Sequence, residues 1–69
     1  MDIIEKELLS RKDEIRKGVD LLFKTNMKIT DWDVPEADDK EAANIILDMI
    51  QQRVEEIRAD IKVGKYDNY

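Results

Sequence analysis

The sequence predicts an all-α protein: a helical hairpin of two long amphipathic helices joined by an ordered acidic loop, forming a dimeric four-helix bundle. Three observations carry this expectation. Apolar residues recur at three- and four-residue spacing in both halves of the chain, which is the period of a helix and not of a strand. Hydrophobic residues make up 42% of the 69 positions and charged residues another 42%, the mixture of solvated amphipathic helices rather than of a disordered chain. The chain also has no cysteine and no histidine. A domain of this size usually needs a disulfide, a metal, a partner or very regular helix packing, and the residues for the first two staples are missing. Association is the remedy that remains.

The first helix is expected over about residues 2–24. Ile4, Leu8, Ile15, Val19 and Leu22 form its stripe, Ile3 and Leu9 widen the early part, and Arg11 interrupts it. Glu7–Arg11 and Asp13–Lys17 are acid-before-base pairs at i,i+4, each worth about 0.2–0.5 kcal/mol on an exposed face. Gly18 costs about 1 kcal/mol relative to alanine; it either permits close approach of another helix or is tolerated.

An ordered loop is expected over about 25–38, with at most one short helical turn. Thr25, Asn26, Thr30, Asp31 and Pro35 are poor residues for a helix interior, and Pro35 biases Val34 toward extended backbone. Ile29, Trp32 and Val34 keep the segment from being a free linker.

A second helix is expected over about 39–63. Asp38 followed by Glu41 has the spacing of a capping box. The stripe then runs Ala43, Ile46, Ile50, Val54, Ile57, Ile61, and Gly64 supplies a left-handed C-cap. Residues 64–69 should form a loose tail. Five of the six residues from Ile45 to Ile50 are large and apolar, a wider face than one neighbouring helix covers. A homodimer seam of Ile45, Ile46, Met49, Ile50, Val54 and Ile57 would cover it. The competing arrangement folds the loop back, with Trp32 and Ile29 over the extra face. The whole chain reads as one domain over residues 1–69.

Charge narrows the function. The net charge is −5 and the pI near 4.6, against the basic footprint of a duplex-DNA binder. Residues 1–24 are balanced, whereas Asp31, Asp33, Glu36, Asp38, Asp39 and Glu41 face only Lys28 and Lys40 within 25–41. The sole tryptophan sits among these carboxylates. Asp31, Trp32, Asp33, Glu36 and Asp38 therefore form a candidate recognition surface for a protein partner with a basic surface. In the competing structural reading the acids serve the dipole of the second helix and Trp32 is core.

Other chemistries find no support. Without histidine or cysteine there is no Ser-His-Asp triad, imidazole ligation or thiolate nucleophile. Asp31, Asp33, Glu36 and Asp39 fail the EF-hand register, which needs a glycine where this chain has none. Glu55, Glu56 and Asp60 resemble part of the magnesium-binding carboxylate set of all-α nucleotide pyrophosphohydrolases. Here Glu56 and Asp60 stand four apart where that set has three, and the first helix has no matching group. No catalytic residue, cofactor or metal is expected. The longest apolar runs, Leu21–Phe23 and Ile45–Leu47, are far too short for a membrane span or a signal-peptide core, so a cytoplasmic protein is expected.

One local likeness bears on regulation. Glu55–Tyr66 resembles the helix-then-Gly-x-Tyr stretch near the end of flagellar anti-sigma factors. The likeness spans twelve residues; the basic C-terminal half and the helix beyond the glycine have no counterpart here. The functional expectation is a small acidic protein-binding module, a regulator or inhibitor of the kind encoded by phages and mobile elements. The alternative is a structural subunit completing a larger helical assembly, and a weaker one is a metal-dependent all-α nucleotide hydrolase.

Overall fold

The computed structural model describes residues 2–69. It is all-α, with three helices rather than two: α1 (Ile3–Ser10), α2 (Lys12–Asp33) and α3 (Asp39–Lys62). Asp2 caps α1, its Oδ1 accepting the Glu5 backbone N–H at 2.8 Å. The first expected helix is broken at Arg11. The Ser10 hydroxyl donates to the Glu7 carbonyl at 2.6 Å, a back-bond that bends helices. The Arg11 N–H turns to Leu8 O at 3.1 Å, which tightens the last turn. With the helix broken there, Arg11 pairs forward with Glu14 at 3.3 Å instead of back with Glu7. Asp13–Lys17 is likewise not among the ion pairs of the described residues.

The loop expected over 25–38 is helical through Asp33. Asn26 Nδ2 donates to Leu22 O and Thr30 Oγ1 to Asn26 O, both at 2.9 Å. These polar side chains bond back along the helix instead of diverting the backbone from it. Phe23, Asn26, Met27 and Thr30 are also half-buried, and α3 is the element that α2 meets there. The chain leaves the helix only at Val34 (φ −133°, ψ 77°), where the following Pro35 excludes helical backbone.

Asp38 is the N-cap of α3, its Oδ1 accepting the Lys40 N–H at 3.1 Å. At the other end Gly64 takes φ 85°. Lys65 N–H bonds to Asp60 O and Gly64 N–H to Ile61 O, both at 3.1 Å, the paired bonds of a Schellman cap. The tail beyond continues in hydrogen-bonded turns. Lys65 Nζ lies 3.6 Å from Asp60, Asp67 N–H bonds to Gly64 O, and the Tyr66 and Tyr69 rings meet edge-on at 5.4 Å.

Packing is thin. None of the described residues is buried. The hairpin contact half-buries Ala42, Ala43, Ile46 and Ile50 of α3, while every described residue before Phe23 is exposed. The chain presents 6,580 Å² of surface, against about 4,500 Å² for a folded monomer of its mass. Its Cα radius of gyration is 16.0 Å, against about 11 Å for a compact domain of this length. Among the described residues no helix is long and apolar enough to cross a membrane.

Candidate interaction surfaces

The acidic surface forms where α2 ends and α3 begins. Trp32 lies in the last turn of α2 and is 86% exposed, forming a shallow depression with Lys28, Ile29 and Asp33. Neither Trp32 nor Ile29 folds over the wide face of α3, which removes the arrangement in which the loop covers that face. Asp31, Asp33, Glu36 and Asp38 are exposed around the same end.

The helices divide these acids into two groups. Asp38, Asp39 and Glu41 stand at the N-terminus of α3, where one caps and all three complement the dipole. Asp31 and Asp33 stand instead at the C-terminus of α2, whose last turn holds no basic residue. Negative charge there opposes the dipole. Asp31 also shares a surface depression with Asp39 and Lys28, two acids and one base without an ion pair between them. Among the described residues none of these acids forms an ion pair. Local stability thus accounts for the α3 acids and leaves Asp31 and Asp33 without a structural reason.

The six expected seam residues do not share one environment. Ile46, Ile50 and Ile57 are half-buried, whereas Ile45, Met49 and Val54 are exposed. Ile45 and Met49 border a shallow groove running past Ala42 and Ala37 to Val34. The stripe expected on the first helix continues one turn pair further along α2 than the sequence indicated. Ile15, Leu22 and Ile29 recur every seven residues and are exposed by 52%, 49% and 51%. Their common spacing was visible, but reading a loop from Thr25 cut Ile29 from the series.

The carboxylates that resembled a hydrolase set are engaged elsewhere. Glu56 pairs with Arg53 at 3.1 Å, Glu55 lies 3.9 Å from Arg58, and Asp60 holds Lys65. Among the described residues no three carboxylates converge in a way that would hold a metal ion. Comparison of the chain with protein-family models, with curated proteins and with solved structures found no match.

Proposed function

We propose that this chain is a small acidic protein-binding module, a regulator or inhibitor that acts by contact with a partner bearing a basic surface. The observation that carries the reading is Trp32, 86% exposed beside two aspartates that oppose their own helix dipole. A large aromatic ring left in water is the kind of anchor that hot spots use. Carboxylates in an unfavourable local field gain more from a cationic partner than well-placed ones do, and they steer its approach. Asp31, Trp32, Asp33 and Glu36 form the contact in this reading; Asp38 contributes charge while serving as a cap.

The test compares capture by the wild type, Trp32→Ala and the triple variant Asp31→Asn/Asp33→Asn/Glu36→Gln, with circular dichroism on each. A partner held by the wild type and lost by both variants at unchanged helicity supports the reading. Equal capture by all three removes it. A second reading, a structural subunit or self-associating four-helix bundle, is favoured by the absence of any buried residue among those described. In that reading association supplies the core.

A further inference from the structure

We propose that the exposed stripe of α2 is a self-association seam, pairing antiparallel with α2 of a second copy about a two-fold axis near Asp20. This rests on the reading that the chain completes its core by association, and it moves the seam from α3 to α2.

The stripe is separate from the hairpin contact. Successive residues point about 100° apart on a helix, so Leu22 is turned well away from its half-buried neighbour Phe23. In heptad terms Ile15, Leu22 and Ile29 occupy one core position, and Gly18 and Thr25 alternate with them in the other. Large and small residues therefore alternate along one face. A Cβ built on Gly18 would meet nothing within 4 Å, so nothing inside the chain calls for a glycine there.

Pairing direction follows from filling space. Antiparallel helices about an axis at Asp20 set Leu22 of one copy over Gly18 of the other, and Ile15 over Thr25. Leu22 and Ile15 each then meet a small residue, as close packing requires, while Ile29 reaches the turn at Arg11 just before the other α2. Parallel pairing would stack Gly18 on Gly18 and Thr25 on Thr25, leaving voids between crowded layers. The flanking positions agree. Antiparallel pairing brings Leu21 beside its own symmetry mate, Val19 likewise, and Glu14 beside Lys28 of the second copy. Parallel pairing would set Leu21 against Asn26 and Val19 against Glu14. The apolar centre with opposite charges at equal distances is complementary to itself in one direction only.

Surface is available for such a contact: each chain exposes about 2,000 Å² more than a folded monomer of its mass, and Leu21 of the seam is 67% exposed.

Because the chain has no cysteine, single-cysteine variants of the full chain report the seam directly under mild oxidation. Leu21→Cys should cross-link to itself. Glu14→Cys and Lys28→Cys should cross-link to each other when mixed, and neither to itself. Self-linkage of Ile15→Cys and Ile29→Cys would show parallel pairing, and self-linkage through Met49→Cys would return the seam to α3; either overturns the proposal. Gly18→Leu improves helix propensity while filling the hole that Leu22 needs. It should raise the dimer dissociation constant roughly tenfold or more at undiminished helicity, measured by sedimentation equilibrium. An unchanged or tighter dimer, or a monomeric wild type at high micromolar concentration, would overturn the seam. Trp32 and the loop lie outside the paired segment 12–28, so partner capture through Trp32 succeeds or fails independently of these results.

Discussion

Gly64 and Asp38 show how much a single backbone setting decides at the two ends of α3. Gly64 holds φ 85°, which costs about 1–2 kcal/mol for a residue with a Cβ. A Cβ there would also stand 2.8 Å from Asp67 Oδ2, the movable end of a side chain. Gly64→Ala should therefore destabilise the hairpin by about 1–2 kcal/mol, and adding Asp67→Ala should not restore it. Full recovery in the double variant would place the cost in the contact instead of the dihedral. Asp38→Ala should cost about 1 kcal/mol by leaving the Lys40 N–H uncapped, whereas Asp38→Asn keeps an acceptor and should lose far less. Thermal denaturation of the three Asp38 forms at one concentration checks this. Both cap positions were legible because each depends on one residue type at one place, although Asp38 accepts the Lys40 N–H and not the Glu41 N–H of the expected capping box. Trp32 was legible as a candidate for the same reason, being the sole tryptophan among acids. Its exposure was not, since that depends on what the rest of the chain covers.

Elements were legible where local signals and packing agree, as in α3, whose observed end at Lys62 lies one residue short of the expected one. They were misread where the two conflict. Thr25, Asn26 and Thr30 argue against a helix taken singly, yet two of them bond back to carbonyls four residues earlier and the segment packs on α3. Propensity differences of a few tenths of a kcal/mol per residue yield to such packing. The break at Arg11 shows in the sequence only as an interruption of the stripe and not of the helix; there the Ser10 hydroxyl bonds to the Glu7 carbonyl and the Arg11 N–H turns to Leu8 O. This misreading also concealed that Asp31 and Asp33 sit on a helix C-terminus, the fact that separates them from the capping acids. Exposure of every described residue before Phe23 gives an element-scale expectation. At low concentration, amides of α1 and early α2 should exchange with solvent far faster than those of central α3, because local opening there uncovers little. Hydrogen exchange read by mass spectrometry on proteolytic fragments measures it. Equal protection of residues 3–10 and 45–57 in the monomer would show that α1 is held by contacts the fold does not contain.

For the whole molecule, the surface of 6,580 Å² and the absence of a buried residue among those described set what unfolding can look like. Cooperative unfolding with a large heat-capacity change needs apolar surface that is hidden when folded, and the hairpin by itself hides little. If the second copy supplies that burial, stability belongs to the dimer and depends on protomer concentration. A hundredfold rise in concentration then adds about 2.7 kcal/mol. That energy is set against the unfolding entropy of two 69-residue chains, at which each kcal/mol moves the midpoint by about 3–4 °C, so the midpoint should climb on the order of 10 °C. The transition should sharpen as well, because the dimer exposes more surface on unfolding than the splayed monomer does. Gly18→Leu separates helix stability from association at this scale: it should lower the midpoint at each concentration, as about a tenfold dilution of the wild type would, without lowering helicity at high concentration. The measurement is circular dichroism melting from low micromolar to high micromolar protein. A sharp midpoint that does not move with concentration would mean that a single hairpin buries enough to fold alone, and the association reading would fall with it.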